Sequence, residues 1–115
     1  MKNTIEITQT IGSEYSITEE DGALVAELVA AALHTGGEVA LSFRGVEMLT
    51  TPFIRALVAP LLQHFSSEEL RVRFEMTDIS TGDLARVKFV IDDIKLRLRD
   101  PETYDRARQQ ALEIA

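Results

Sequence analysis

The 115-residue chain carries 12 Lys and Arg against 19 Asp and Glu, a formal net charge of -7 at pH 7. This charge argues against a nucleic-acid partner, because phosphate backbones attract basic surfaces. Hydrophobic residues make up 45% of the chain, which is typical of a folded domain, yet no apolar run approaches the roughly 18 residues of a membrane span. With no cysteine and no basic-then-apolar start, we expect one cytoplasmic domain over residues 1–115 that does not bind a membrane.

Residues 1–17 are predicted to form an N-terminal strand or short hairpin. Polar and β-branched residues alternate over Thr4–Thr10, and Tyr15 and Ile17 repeat the alternation after a Gly12-Ser13 turn.

The predicted core of the domain covers residues 18–98. Its first element is a helix predicted from Glu19 to Thr35. Thr18 is a suitable N-cap before three acidic residues, and Gly36-Gly37 is a typical helix end. The apolar spacing predicts that this helix buries Leu24, Val25, Leu28, Val29, Ala32 and Leu33.

The next two elements are a central strand and a very apolar helix. The strand is predicted over Glu38–Phe43, which is short and nearly all apolar. The helix is predicted to start with Thr51 as N-cap and Pro52 at its first position, and Pro60 inside it should bend it or remove a hydrogen bond.

The remaining chain is predicted to form one strand and two helices. Leu70–Met76 alternates strictly between apolar and charged residues, which indicates a strand with one wet face. Ser80, with Asp83 three residues on, is a capping-box variant that starts the next helix, and its expected buried residues are Leu84, Val87, Val90, Ile91, Ile94 and Leu98. A more polar C-terminal helix is predicted over 100–115.

Strands separated by helices indicate an α/β fold. We therefore expect a small mixed sheet of about four strands with helices packed on it, with parallel central strands and a C-terminal helix.

The sequence contains no catalytic pattern. His34 and His64 lack further ligands at metal-binding spacing and are interpreted as residues at helix ends. The paired carboxylates Glu68-Glu69 and Asp92-Asp93 have no nucleophile near them in sequence and are interpreted as solubilising. No nucleotide motif is present. We expect no enzyme activity, no cofactor and no metal.

Three segments in order, "SITEEDGALVAELVAAAL", "GEVALSFRGVEMLTTPFIRAL" and "EELRVRFEMTDIS", resemble the STAS-like domain-of-unknown-function family of bacterial proteins. That family is related to the STAS domains of anti-sigma factor antagonists. The resemblance covers about Ser16 to Ile94. It implies a STAS-like sheet with packed helices and a regulatory role in protein recognition, with a histidine-kinase-like ATPase or an anti-sigma factor as partner.

In the better-known antagonists the matching turn reads aspartate, serine, serine, glycine, and a kinase phosphorylates the second serine. Without gaps, Thr50 takes the aspartate position, Thr51 the first serine and Pro52 the phosphorylated serine. Proline cannot accept phosphate and offers no backbone N–H to an anion. Thr51 is therefore open to two interpretations: a helix cap, or a phosphorylation site displaced by one residue, where a phosphate would lie near Arg55.

The first functional hypothesis is a protein-binding module that uses the loop and helix start over residues 44–55. Its candidate contact or switch residues are Arg44, Glu47, Thr50, Thr51 and Arg55. The second hypothesis is a self-associating domain, a homodimer paired through the last helix or the first strand.

Overall fold

The computed structural model describes residues 2–99. The predicted C-terminal helix over 100–115 lies outside the described residues. Residues 2–99 form five strands and five helices. In chain order they are β1 (Lys2–Glu6), α1 (Ile7–Ile11), β2 (Tyr15–Ser16), α2 (Glu19–His34), β3 (Glu38–Ser42), β4 (Met48–Leu49), α3 (Thr51–His64), α4 (Ser67–Arg73), β5 (Phe74–Thr77) and α5 (Thr81–Arg99).

The strands form a three-stranded sheet in the order β1-β3-β5 and a separate two-stranded sheet of β2 and β4. All three pairings are parallel. The α/β class, the central position of β3 and the parallel central strands are confirmed, but residues 2–99 contain sheets of three and two parallel strands in place of the single mixed sheet of about four. The left-handed residues Gly12 and Gly45 turn the chain away from the main sheet, so that β2 and β4 pair with each other.

The core is continuous from β3 into α2, α3 and α5. Val39, Ala40, Leu41 and Ser42 are all buried, so both faces of the central strand are covered, as is usual in parallel sheets. α3 packs against both α2 and α5 and buries the apolar residues Phe53, Ile54, Leu57, Val58 and Leu61. Pro60 lies within α3 without ending it.

The prediction for α2 is confirmed in its ends and partly wrong in its buried face. The Thr18 hydroxyl accepts a hydrogen bond from the Asp21 N–H at 3.1 Å, and Gly36 is left-handed after the helix. The buried residues, however, are Gly22, Val25, Ala26, Val29 and Leu33, whereas Leu24 and Leu28 are more than 40% exposed. The face against α3 contains small residues because the two helices approach closely there.

The prediction of a strand or hairpin over residues 1–17 is wrong after β1. The chain enters the one-and-a-half-turn helix α1 at Ile7, which is fully buried. The Thr10 hydroxyl donates to the Glu6 carbonyl at 2.9 Å, and Gly12 caps the helix with φ 68°. Local side-chain hydrogen bonds and burial of Ile7 outweigh the strand propensity of the β-branched residues.

The predicted strand over Leu70–Met76 is also wrong in its first half. Residues up to Arg73 form α4, and β5 begins only at Phe74. Ser66 and Glu69 form a capping box, with side-chain to backbone hydrogen bonds of 3.1 and 3.2 Å. This start signal fixes a helix, and Val72, which the alternation assigns to the inner face, is 72% exposed.

α5 begins as predicted, because the Ser80 hydroxyl accepts from the Asp83 N–H at 3.1 Å. Its buried residues are Val87, Val90 and Ile94, a narrower set than the spacing predicts. None of the helices described between residues 2 and 99 has the length and apolar character needed to cross a membrane.

Candidate functional site

The loop between β3 and α3 follows the carboxyl end of the central parallel strand, the edge at which α/β folds usually carry their sites. A tight turn opens the loop: the Val46 N–H donates to the Phe43 carbonyl at 3.0 Å. Gly45 has φ 80°, a value that glycine adopts easily in the third position of a type II turn. The Thr8 hydroxyl, from α1, donates to the Arg44 carbonyl at 3.3 Å. The first half of the loop is therefore fixed on the end of the sheet.

A buried serine connects this turn to the loop after β5. The Ser42 hydroxyl donates to the Asp78 carboxylate at 2.8 Å and accepts from the Arg44 N–H at 3.2 Å. Asp78 adopts a left-handed backbone conformation with φ 56°, which is uncommon outside glycine. The pair was not among the predicted site residues. Its only sequence signal is a polar residue at the end of each of two adjacent strands.

The second half of the loop is fastened to the segment before α2. The Glu47 N–H donates to the Glu14 carbonyl at 2.9 Å, and the Thr50 N–H donates to the Ser16 carbonyl at 3.0 Å. Between these two bonds runs the β2–β4 ladder, in which Tyr15 faces Met48. The loop thus has a defined conformation before any partner binds.

Thr50 is the N-cap of α3, so the prediction that Thr51 caps the helix is wrong by one residue. The Thr50 hydroxyl accepts from the Phe53 N–H at 3.4 Å and donates to the Ile17 carbonyl at 2.6 Å. The extended backbone of Thr50 (φ -102°, ψ 157°) is typical of an N-cap. The bond to Ile17, a contact invisible in the sequence, selects Thr50 over its neighbour. Thr51 is the first helical residue, Pro52 is the second, and the Thr51 side chain is exposed.

The start of α3 has few free backbone N–H groups that could bind an anion. Pro52 has no N–H, the Phe53 N–H is bound to the Thr50 hydroxyl, and the Ile54 N–H is bound to the Thr50 carbonyl at 3.0 Å. Three of the first four helical positions therefore have no free N–H, whereas anion sites at helix starts depend on such groups.

Arg55 is directed to α5. Both terminal nitrogens of its guanidinium lie 3.2 Å from one Asp93 carboxylate oxygen, and the two side chains are 41% and 25% exposed. The interpretation of Asp93 as a merely solubilising residue is therefore wrong. The structure brings Arg44, Glu47, Thr50 and Thr51 into one loop and places the Arg55 side chain in a contact between α3 and α5.

Three exposed apolar residues border the loop and were not among the predicted site residues. Tyr15 and Met48 are each 50% exposed and Ile17 is 42% exposed. They point outward because the alternating Ser16 and Leu49 are buried on the inner side. With the exposed side chains of Glu14, Glu47 and Thr51, they form what we call the loop face. Strands of two residues are too short for their outward side to be predicted from sequence.

A profile of the family described as "STAS-like domain of unknown function (DUF4325)" matches residues 21–84, which is more than half of the chain. The chain belongs to this STAS-like family. The matched range includes the β3–α3 loop and all five candidate residues, and it leaves out β1 and most of α5. Searches of the curated proteins and of the solved structures each gave no match.

The STAS-like domain has no cluster of metal-binding type within residues 2–99, where no group of three His, Asp or Glu side chains is suitably placed. His34 and His64 both lie in the last turns of helices, as predicted, and the His34 ring lies 4.8 Å from that of Phe65.

Proposed function

We propose that this STAS-like domain is a non-enzymatic regulatory module that binds a protein partner in the cytoplasm through the loop face and the start of α3. The family assignment supports this proposal, because STAS-like domains resemble anti-sigma factor antagonists. By the same resemblance, the proposed partner is a histidine-kinase-like ATPase or an anti-sigma factor.

The observation that carries the proposal is an exposed apolar patch on a fixed loop. Tyr15 and Met48 lie side by side on the β2–β4 ladder, and each keeps half of its surface exposed. Aromatic residues and methionine are enriched at protein interfaces, and a loop that is ordered before binding loses less entropy on association. The flanking carboxylates of Glu14 and Glu47 favour a partner with a basic rim.

Phosphorylation is not required for this mode of binding. The proposed contact uses a patch that is exposed without modification, and Pro52 stands where the related antagonists carry their phosphorylated serine. Thr51 remains a candidate acceptor, since Thr50 performs the capping and the Thr51 hydroxyl has no hydrogen-bond partner among residues 2–99. A phosphate on Thr51 would add about two negative charges beside the apolar patch.

The proposal is tested with affinity-tagged full-length protein in extracts of the source cells, with mass spectrometry of both the bound partner and the Thr50 and Thr51 peptides. A partner retained by the wild type should be lost at least tenfold with Met48→Asp and with the double variant Glu47→Ala, Thr51→Ala. Phe89→Asp is the matched control, because Phe89 is 73% exposed on α5 and lies outside the loop face. Equal retention by all variants, or equal loss with Phe89→Asp, would contradict the proposed surface.

A second candidate function is self-association as a homodimer, which one observation favours. β1 is an edge strand of the main sheet, with β3 on one side, and edge strands can pair with a second copy. Sedimentation at two protein concentrations distinguishes the candidates: a monomer at both would exclude the homodimer and leave the partner-binding proposal intact.

A further inference from the structure

A half-open groove separates α5 from α4 and β5, on a part of the domain that the proposed partner surface does not use. Its cavity has a volume of about 390 Å³, within the usual range of small-molecule pockets of roughly 300–1,000 Å³. Its apolar lining comes mainly from Leu62, Leu70, Phe74, Met76 and Ile91. We call it the α4–α5 groove.

Three cationic side chains also line the groove: Arg71 on α4, and Lys88 and Lys95 on α5. The ion pairs found among residues 2–99 involve Lys2, Arg55, Arg73 and Arg86, so none of these three cations has an acidic partner there. Within residues 2–99, three cations without an ion pair thus border one apolar groove in a chain with a formal charge of -7, although Arg71 also lines a second cavity with Glu38 and Glu75.

The cations are distributed unequally along the groove. Lys88 and Lys95 are two helical turns apart, about 10 Å along the axis of α5. Lys95 also lines a neighbouring cavity together with Ser67, from the start of α4, and Ser67 and Arg71 both line the groove. Arg71 on α4 and Lys95 on α5 thus belong to opposite walls and each shares a cavity lining with Ser67, while Lys88 lies two helical turns from Lys95 toward the start of α5.

We propose that the α4–α5 groove binds a small anionic amphiphile, an aliphatic chain with a carboxylate or phosphate head. The head lies between Arg71 and Lys95, and the chain lies along Leu70, Met76 and Ile91. Methionine suits such a floor because its unbranched thioether adapts to a flexible ligand.

The burial of the lining favours a narrow aliphatic chain over a protein helix. Leu62, Leu70, Phe74, Met76 and Ile91 are all only half-buried, so they form a recess and leave no broad exposed patch. A stable protein interface buries about 1,200 Å² or more, and a helix that docks in a groove needs several apolar anchors spread over two or more turns.

The experiment is a calorimetric titration of the full-length protein with sodium dodecanoate, below the concentration at which it forms micelles. Dodecanoate should bind with 1:1 stoichiometry, and 1-dodecanol, which has the same chain without the charge, at least tenfold more weakly. Shortening the chain by two methylenes, from decanoate to octanoate, should weaken binding by about fifteenfold, because each buried methylene contributes about 0.8 kcal/mol. Dodecyl phosphate, compared with dodecanoate, identifies the preferred head.

Charge variants at the rim locate the head without disturbing the core. Arg71→Gln and Lys95→Gln should each weaken dodecanoate binding by about fivefold, the upper range for a part-exposed ion pair. Lys88→Gln is the matched control on the same helix and should change binding less than twofold. An equal effect of Lys88→Gln, or equal binding of dodecanol, would overturn the assignment.

The methionines give an independent readout by methyl NMR, since Met76 lies in the groove and Met48 in the loop face. Dodecanoate should shift the Met76 methyl signal and leave that of Met48 unchanged. A shift of Met48 alone, or an absence of saturable binding, would refute the proposal. Contacts between the Met76 methyl and residues 100–115 in the ligand-free protein would also refute it, because the groove would then hold the chain's own end.

Discussion

Gly22 lies at a close contact between α2 and α3, and its replacement by alanine tests the packing that positions the candidate site. A Cβ added at Gly22 would stand 2.5 Å from the Phe53 carbonyl oxygen and 3.0 Å from the Ala56 Cβ. The oxygen belongs to the α3 backbone, and the Phe53 side chain is fully buried. The clash cannot be relieved by a side-chain rotation and requires the two helices to move apart.

Two opposing effects determine the size of the change. Alanine in place of glycine inside a helix favours folding by about 0.5–1 kcal/mol. Overpacking of a tight contact costs about 1–3 kcal/mol. With a Cβ–oxygen distance far below van der Waals contact, the second effect should dominate, and we expect Gly22→Ala to lower the free energy of unfolding by about 1–2 kcal/mol.

The assay is urea unfolding followed by far-UV circular dichroism, with Gly82→Ala as the control. Gly82 lies in the first turn of α5, and a Cβ there would meet no atom within 4 Å. The same substitution should therefore leave stability unchanged or raise it by about 0.5 kcal/mol. If Gly22→Ala were as stable as Gly82→Ala, the close approach of α2 to α3 would be wrong.

Two further predictions each compare two hydroxyl side chains that have different roles. Thr50→Ala should lower the free energy of unfolding by about 1–2 kcal/mol, because it removes the N-cap of α3 and the hydrogen bond to the Ile17 carbonyl. Thr51→Ala should change the free energy of unfolding by less than about 0.5 kcal/mol. Equal effects of the two variants in urea unfolding would contradict the assignment of Thr50 as the cap. Ser42→Ala should cost about 1–2 kcal/mol through the loss of two hydrogen bonds. Ser16→Ala should be neutral or stabilising, because the buried Ser16 hydroxyl has no hydrogen-bond partner among residues 2–99. Thermal unfolding of both serine variants checks this contrast.

Helix ends were the features most readily predicted from sequence. Thr18 and Ser80 were predicted as helix starts, and the hydroxyl of each accepts a backbone N–H three residues on. These contacts are local, so the residues that decide them are adjacent in sequence. The central strand was predictable for a similar reason, since a short, nearly all-apolar run has few alternatives when it follows a Gly36-Gly37 helix end.

The errors arose where a local pattern fitted two structures. The alternation over Leu70–Met76 suits a strand, but the capping box at Ser66 and Glu69 starts a helix that reaches Arg73. The apolar spacing predicts the wrong buried face for α2, because Leu24 is more hydrophobic than Gly22. Contact with α3 reverses this order, since only a small residue fits against the Phe53 carbonyl. The spacing of apolar residues within one helix does not show how closely a second helix approaches it.

The position of the candidate site in the chain can be predicted from sequence, but the residues that surround it in space cannot. The β3–α3 loop follows from the strand and helix around it, and Arg44 and Glu47 are exposed on it. Two of the three apolar residues of the loop face, Tyr15 and Ile17, lie more than 30 positions before Met48 in sequence, and β2 pairs with β4 through only two residues. The Arg55–Asp93 ion pair spans 38 positions. No periodicity within one element predicts contacts of this separation.

The capping arrangement of Thr50 and Pro52 constrains how regulation at this loop would operate. A phosphate on Thr51 would be favoured by the positive end of α3, but Pro52 has no N–H, and the N–H groups of Phe53 and Ile54 are already bound to Thr50. Arg55 is engaged by Asp93. Modification would thus add charge without gaining the backbone and guanidinium hydrogen bonds that normally order a phosphorylated helix start. Its main effect would be on binding of the proposed partner, through repulsion or attraction at the loop face, and the conformation of the loop would stay the same.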